Sequence, residues 1–173
     1  MKTRYLLAFA VAALIVIPAY AKVSTDFDPS ANFSQYHTYA WGEGTPARNP
    51  LIAQRIVEGI EQRLAAKGLQ KVDSADAADL VVVYQTATDT RTDVNTYNTG
   101  RWGGWGWGMG TTQTTVREIP VGQLIVDMAD VKAKKFVWRG TASGTISDNP
   151  DKVTKLLNKS LDKMFDNYPP QPK

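Results

Sequence analysis

Three tryptophans lie close together in a glycine-rich stretch of the sequence. The stretch reads GRWGGWGWGMG and holds Trp102, Trp105 and Trp107, with Arg101 beside the first of them. Tryptophan combines a large apolar face with one N–H donor, so such rings suit a membrane interface, a glycan or a protein partner. Glycine leaves the backbone too free to bury the rings by itself, and Arg101 could stack on one of them. These four residues form the predicted binding site.

The same rings have a second interpretation, in which the loop folds back onto its own sheet. The tryptophans would then shield an otherwise wet face of the protein and bind nothing. In an extended segment, Trp105 and Trp107 point to one side and Trp102 to the other, so all three share a surface only in a bent loop. The sequence leaves both interpretations open.

No group of residues has the spacing of a catalytic centre. His37 is the single histidine, and no second group that would orient it as a general base is identifiable. Ser160 and Lys163 match an S-x-x-K pattern and Ser147–Asn149 an S-D-N pattern, but their order is reversed relative to serine hydrolases and no K-T-G follows. Asn149 is better explained as a helix cap. No catalytic residue is predicted.

Composition and charge exclude further classes of protein. The chain has 20 Lys and Arg against 17 Asp and Glu, a formal charge of +3. Without Lys2 and Arg4, which lie in a predicted leader, the charge is +1, so a nucleic-acid-binding surface is not expected. The absence of cysteine excludes thiolate nucleophiles, Cys/His zinc sites and iron–sulfur clusters. Neither a metal site nor a cofactor is predicted.

Residues 1–21 have the features of a secretory signal peptide. Lys2 and Arg4 precede an apolar core of 12 residues, Leu6–Ile17, and Pro18–Ala21 supplies a small-x-small cleavage site. The core is shorter than the roughly 20 residues of a membrane-spanning helix. We therefore expect an exported, periplasmic or outer-envelope protein with no transmembrane helix in its mature chain. Since no cysteine follows the core, no lipid anchor on an N-terminal cysteine is expected.

The mature chain is predicted to contain two amphipathic helices. Asn49-Pro50 and Asn149-Pro150 each place a capping asparagine before a proline at the first helical position, and apolar residues then recur at helical spacing. The helices should end at Gly68 and before Pro169. The apolar run Leu80–Tyr84 indicates a strand covered on both faces. The predicted strands are Val23–Phe27, Thr38–Trp41, Leu80–Tyr84 with an extension toward Val94, Thr111–Glu118, Val121–Met128 and Phe136–Ile146.

The order of these elements predicts an α+β fold. Most connections between strands are too short for a crossover helix, so neighbouring strands should be antiparallel. We expect a single two-layer domain over residues 22–168, with two helices packed on one face of a mainly antiparallel sheet. A Gly/Trp-rich loop at residues 98–111 and a Pro-rich tail at residues 169–173 complete the organisation.

Several segments together resemble the bacterial family named domain of unknown function 4136. The resemblance covers nearly the whole mature chain. It implies an uncharacterised envelope protein, and many members of the family are lipoproteins; this chain differs from those members in lacking the lipid-bearing cysteine. The resemblance implies no catalytic residues. It rests on Asp26–Phe33, Tyr36–Trp41, Asn49–Ile52, Arg55-Ile56, Asp79–Tyr84, Leu124–Asp127 and Val137–Thr141.

Three functions are compatible with these observations. The first is a noncatalytic envelope protein that binds an envelope component or a protein partner through the Gly/Trp-rich loop. The second is a hydrolase of cell-wall or other polymers, using paired carboxylates such as Asp26, Asp28 or Asp127; glycoside hydrolysis needs two carboxyls about 5–10 Å apart in a cleft. The third is a structural stress or assembly factor whose loop shields its own sheet.

Overall fold

The computed structural model describes residues 21–98 and 112–170. This part of the chain forms six strands and two helices, with 3-10 turns at Phe33–Gln35 and Ala75–Ala77. The strands are β1 (Lys22–Phe27), β2 (Thr38–Trp41), β3 (Gln70–Lys71), β4 (Leu80–Asn98), β5 (Thr112–Asp130) and β6 (Lys135–Thr145). The helices are α1 (Pro50–Ala66) and α2 (Pro150–Phe165).

The six strands form one mixed sheet in the order β1-β6-β5-β4-β2-β3. The pairs β1–β6, β6–β5 and β5–β4 are antiparallel, whereas β2 runs parallel to both β3 and β4. The predicted α+β class and mainly antiparallel sheet are therefore confirmed. The parallel pairs arise because α1 lies between β2 and β3 in the chain. The helix carries the chain back to the end of the sheet at which β2 began, so the strands that follow and pair with β2 run in its direction.

Helix α1 begins where the sequence predicts. The Asn49 side chain accepts hydrogen bonds from the N–H groups of Leu51 and Ile52 at 2.9 and 3.3 Å, which satisfies donors that the first turn leaves free. Gly68 has a φ of +86° just beyond the helix, a conformation that favours glycine and stops the helix. The buried apolar stripe of α1 consists of Ile56, Ile60 and Leu64.

Helix α2 repeats the capping arrangement and packs on β6. The Asn149 side chain accepts from the N–H groups of Asp151 and Lys152 at 2.9 and 3.2 Å. At the other end of the helix, Phe165 stacks on Trp138 of β6, with ring centroids 5.3 Å apart. These contacts bring α2 and α1 into one core cluster with the same face of the sheet.

No further layer covers the opposite face of the sheet within residues 21–98 and 112–170. On β4, Leu80 and Val82 are fully buried toward the helices, whereas Val81 and Val83 on the other face are only half-buried. The prediction that this strand is covered on both faces was wrong, because both helices pack on the same side. Phe136 of β6 is 65% exposed on this open face.

β4 and β5 are longer than the sequence predicts. Each has 19 residues, and every residue of β4 pairs with one of β5. The two predicted strands Thr111–Glu118 and Val121–Met128 form one continuous strand, β5, which runs through Pro120. The carbonyl of Pro120 accepts from the Ile146 N–H at 2.9 Å, so the proline nitrogen also lies on that outer edge. There its missing N–H costs no bond to β4.

Candidate functional site

The long β4–β5 hairpin holds the predicted binding loop. Asn98 at the end of β4 pairs with Thr112 at the start of β5, so the chain leaves and re-enters the sheet at adjacent positions. Between them, outside the described residues, lie all four residues predicted to bind a partner: Arg101, Trp102, Trp105 and Trp107.

Half of this hairpin extends beyond the rest of the sheet. The pairing of β5 with β6 stops at Val121, and the last contact of β4 with the chain before α1 is a hydrogen bond from the Thr86 N–H to the Thr45 carbonyl at 2.9 Å. Apart from the hydrogen bond from the Ile146 N–H to the Pro120 carbonyl, Thr90–Asn98 and Thr112–Pro120 therefore pair only with each other among the described residues. We call these nine residue pairs the arm; at about 3.3 Å per residue it is about 30 Å long.

The two faces of the arm differ in chemistry. On the face that continues the helix side of the sheet, Val94 and Val116 are cross-strand partners and remain 58% and 60% exposed. On the other face, Arg91 forms an ion pair with Asp93 at 3.1 Å, and Asp93 is the cross-strand partner of Arg117. The arm thus presents an exposed valine pair on one face and a row of charges on the other.

The structure places two of the three candidate hydrolase carboxylates on the open face, with an arginine between them. Asp26 of β1 and Asp127 of β5 are both register partners of Arg139 on β6. Asp127 is 2% exposed, and its two oxygens accept from Arg139 Nε and Nη2 at 2.5 and 2.9 Å. This contact raises the pKa of Arg139. Asp26 and Asp127 are thus two strands apart, about 10 Å, on a flat surface rather than facing each other across a cleft.

The third candidate, Asp28, stabilises a turn. Its carboxylate accepts from Lys135 Nζ at 2.7 Å and from the N–H and hydroxyl of Ser30 at 2.8 and 2.7 Å. Lys135 and Ser30 together lower the pKa of Asp28 to about 2. This carboxyl is held as an anion by its own neighbours, an arrangement that suits a fixed turn.

His37 is not accompanied by a second catalytic group, but its backbone is part of a site that sequence reasoning missed. The side chain of His37 is exposed, while its N–H donates to Asp79 Oδ2 at 2.9 Å. Nearby, Asp130 accepts from the Tyr36 hydroxyl at 2.8 Å and from the Ala133 N–H at 2.7 Å. These donors lower the pKa of both carboxyls. Since both are occupied by groups of the chain, they connect segments and present no free base.

The serine–lysine pattern has a structural explanation. Ser160 is buried in α2, and its hydroxyl donates to the Leu156 carbonyl at 2.8 Å. Lys163 is exposed on the same helix. The S-D-N segment ends in Asn149, which caps α2. Neither pattern forms a nucleophilic site.

The described residues hold neither a candidate metal cluster nor a membrane-spanning helix. Within 21–98 and 112–170, no cluster of three or more His, Asp or Glu side chains is arranged to hold a metal ion. Over the same part of the chain, no helix has the length and apolar character needed to cross a bilayer.

Comparisons with known proteins identify a family and a fold. The family model described as a domain of unknown function, DUF4136, matches residues 23–170. No protein with a curated function matches the chain in sequence.

Two solved structures share the fold. A DUF4136 family protein from Bacteroides thetaiotaomicron superposes with a TM-score of 0.53 at 17% identity, covering 86% of this chain and 96% of its own. A PDZ domain protein from Parabacteroides distasonis gives the same TM-score and identity, covering 87% of this chain and 36% of its own. At this identity the likeness shows the fold alone.

Proposed function

The chain belongs to the DUF4136 family, and we propose that it is an exported, noncatalytic binding protein of the cell envelope. In this proposal the arm presents the Gly/Trp-rich loop to an envelope component, which is a membrane interface, a glycan or a protein. The observation that carries the proposal is the arm itself: a two-stranded extension that ends at Asn98 and Thr112, on either side of the predicted binding residues. Export rests on the leader sequence.

The length of the arm favours binding over self-shielding. Thirteen residues separate Asn98 from Thr112. With both ends fixed at the tip, the middle of such a segment reaches back at most about 24 Å even when fully extended. The arm is about 30 Å long, longer than this backbone reach, and this favours binding over shielding of the body of the sheet. Large apolar side chains beside such a tip are more useful to a partner than to the fold.

The carboxylate geometry favours a noncatalytic role over the hydrolase alternative. Asp127 has both oxygens bound by Arg139, and Asp28 is held by Lys135 and Ser30. A glycosidase needs one carboxyl that can give up a proton and a second that faces the same bond. None of the three candidate carboxylates is arranged in this way.

Tryptophan emission of the purified protein tests the proposal. The protein is titrated separately with lipid vesicles and with soluble peptidoglycan fragments, beside a variant carrying Trp102→Ala, Trp105→Ala and Trp107→Ala. Trp138, which is 3% exposed, and the half-buried Trp41 supply a constant background. We expect a blue shift with one of the two additives that the triple variant lacks, because a ring that leaves water emits at shorter wavelength.

Phe136→Ala is the matched control, since Phe136 is an exposed aromatic residue on the body rather than on the arm. This variant should bind as the wild type does. A shift that persists in the triple variant would remove the loop assignment, and the absence of any shift with both additives would remove a membrane interface and a glycan as partners of the loop. Cleavage of the peptidoglycan fragments during the titration would contradict the noncatalytic role.

A further inference from the structure

The β4 side of the arm presents a free edge of hydrogen-bonding groups. Along β4, the carbonyls of Val82 and Tyr84 and the N–H of Thr86 bond to residues of the segment before α1. Backbone groups alternate in direction along a strand, so the even-numbered residues beyond Thr86 direct their N–H and C=O groups to the same edge. From Ala87 onward, no other described strand or loop bonds to this edge. The Thr90 N–H donates to the neighbouring Asp89 Oδ1 at 2.7 Å, a local contact that pairing with another strand would replace.

We propose that this edge pairs with the same edge of a second copy of the chain, antiparallel, with Thr92 on the two-fold axis. In this register the segment from Ala87 to Tyr97 pairs with the same segment of the other copy in the antiparallel direction, so that Ala87 of each copy lies opposite Tyr97 of the other. Arg91 of each copy then stands opposite Asp93 of the other. Because a two-fold interface repeats each contact, one charge pair in the sequence becomes two ion pairs in the dimer.

The charges select this register over its neighbours. Centring the pair on Arg91 would oppose Arg91 to its own copy and Asp89 to Asp93. Centring it on Asp93 would bring two Asp93 carboxylates together. Like charges directly opposite each other destabilise a sheet. A register centred on Thr90 would pair Asp89 with Arg91, but it would use only seven residues of the free edge instead of eleven.

The side chains across the proposed four-stranded sheet are complementary on both faces. On the charged face, Arg117, Asp93 and then Arg91 of the second copy form a row of alternating sign. On the other face, Val116 and Val94 of one copy continue into Thr90 and Pro120 of the other. Val94, which is 58% exposed in the single chain, thereby gains Thr90 of the second copy as a cross-strand neighbour.

The opposite edge of the arm is a poorer partner. On β5, Pro120 lies at the root of that edge and offers no N–H donor. Centring two β5 strands on Arg117 or on Glu118 opposes like charges, and centring them on Val116 avoids this but forms no ion pair. The interface is therefore assigned to the β4 edge alone, and the partner that pairs with it is a second copy of this chain.

Charge reversal tests the proposal. Sedimentation velocity should show a concentration-dependent dimer for the purified wild-type protein. Arg91→Asp and Asp93→Arg each replace two attractive contacts by two repulsive ones, and each should raise the dimer Kd at least about tenfold. The double variant restores opposite signs and should dimerise again. Asp93→Arg also opposes Arg117 of its own chain, but both side chains are solvent-accessible, at 73% and 37%, and the core cluster holds no residue of the arm, so melting curves should stay close to wild type.

Mixing the two single variants gives the sharper result. Arg91→Asp and Asp93→Arg are each self-repulsive, but together they place opposite charges at both contacts. An equimolar mixture should therefore form heterodimers where each variant alone is monomeric. Lys155→Asp, an equal change of charge on the exposed side of α2, is the control and should dimerise as the wild type does.

An engineered crosslink gives an independent measurement. The natural chain has no cysteine, so Thr92→Cys introduces one thiol, which in the dimer stands opposite its own copy. The Cα atoms of such a hydrogen-bonded pair are about 5.5 Å apart, a distance that a disulfide bridges. Oxidation should yield a covalent dimer. Thr90→Cys, whose copies would be about 13 Å apart along the strands, should not.

Several outcomes would overturn the proposal. A wild-type protein that stays monomeric at every concentration would do so, as would single variants that dimerise normally. Equal crosslinking of Thr92→Cys and Thr90→Cys would also contradict the register. The outcome is independent of the binding function: the triple tryptophan variant keeps β4 unchanged and should still dimerise even if it binds no envelope component.

Discussion

Two buried or half-buried carboxylates fasten segments that lie far apart in the sequence. Asp79 Oδ2 accepts from the N–H groups of His37 and Thr38 at 2.9 and 3.0 Å, and the Asp79 N–H donates to the Thr38 hydroxyl at 3.0 Å. Asp130 joins Tyr36 to the turn after β5 in a similar way. Hydrogen bonds to a charged acceptor are stronger than neutral ones. These residues therefore fix the start of β2 against the start of β4 and the end of β5.

Stability should decrease in acid for this reason. The pKa values of Asp28, Glu61, Asp79 and Asp130 are all lowered in the folded protein, that of Asp28 to about 2. A lowered folded-state pKa means that the unfolded chain binds protons more readily. The stabilisation is complete above the ordinary carboxyl pKa of about 4 and is lost as pH falls toward 2. Urea denaturation between pH 7 and pH 2 measures the change.

Asp79→Asn isolates one of these contributions. The amide accepts hydrogen bonds more weakly than the carboxylate and does not titrate, so the variant should be less stable by about 1 kcal/mol at pH 7. The difference from wild type should shrink as the pH falls. Asp73→Asn, at an exposed position of the same connection, should leave the whole curve unchanged. A constant difference at every pH would contradict this role of Asp79.

The roles of some residues could be predicted from their neighbours in the sequence, and the roles of others could not. The capping roles of Asn49 and Asn149 follow from each residue's immediate neighbours and are confirmed. The roles of Asp79 and Arg139 depend on partners 41 and 12 residues away. Nothing local distinguishes such an aspartate from one in a turn, and only the sheet register reveals its partner.

At the scale of the elements, the packing of α2 depends on a glycine in β6. A Cβ atom added at Gly140 would overlap Met164 of α2, and it would lie 2.6 Å from Trp138 Cη2. Met164 is fully buried and Trp138 is 3% exposed. The absence of a side chain at Gly140 thus allows α2 to pack closely against the sheet, which keeps water out of the core.

Gly140→Ala should therefore destabilise the protein. Buried side chains must shift to accept an extra methyl group in a dense core, and the free energy of unfolding should fall by about 1–3 kcal/mol. Thermal or urea denaturation followed by circular dichroism measures this. Thr145→Ala, at an exposed position of the same strand, should change stability by less than about 0.5 kcal/mol. An unchanged Gly140→Ala variant would show that α2 moves freely over the sheet.

The helices and strands were predictable where one regular spacing of apolar residues dominates the sequence. Both helices have an apolar stripe and a cap, and both lie where the pattern indicates. The parallel pairing of β2 was missed because its partners are set by the path of α1 rather than by the sequence of β2. The strand at Leu80–Tyr84 was assigned two covered faces because a run of apolar residues does not show on which side the helices pack.

At the scale of the whole molecule, the protein consists of a body with a core and an arm without one. The core cluster is built from the helices and the body of the sheet, and it includes no residue of the arm. A two-stranded ribbon has little stability of its own. The Gly/Trp-rich segment is evident from composition and its loop stays a prediction, whereas the arm that leads to it was not predictable, because its polar strands lack a strong pattern.

An arm-less variant should fold. Replacing residues 90–120 by Asn-Gly joins Asp89 to Val121, which are register partners, through a two-residue turn suited to a hairpin. We expect a melting temperature within a few degrees of wild type, and loss of both the ligand-induced emission shift and the dimer. Circular dichroism and sedimentation velocity provide the comparison. Unfolding of this variant would show that the arm contributes to the core after all.

Pro120 lies where the arm begins, on the outer edge of β5. It limits the number of copies of the chain that can pair through their arms. An arm with two equally receptive edges would accept a new copy on each side, and the assembly would grow into a fibre. With no N–H donor at Pro120 and no register that forms ion pairs on the outer edge, each arm has one favoured edge, and pairing occupies it. Association is then finite, which matters for a protein that exposes long strands in a crowded compartment.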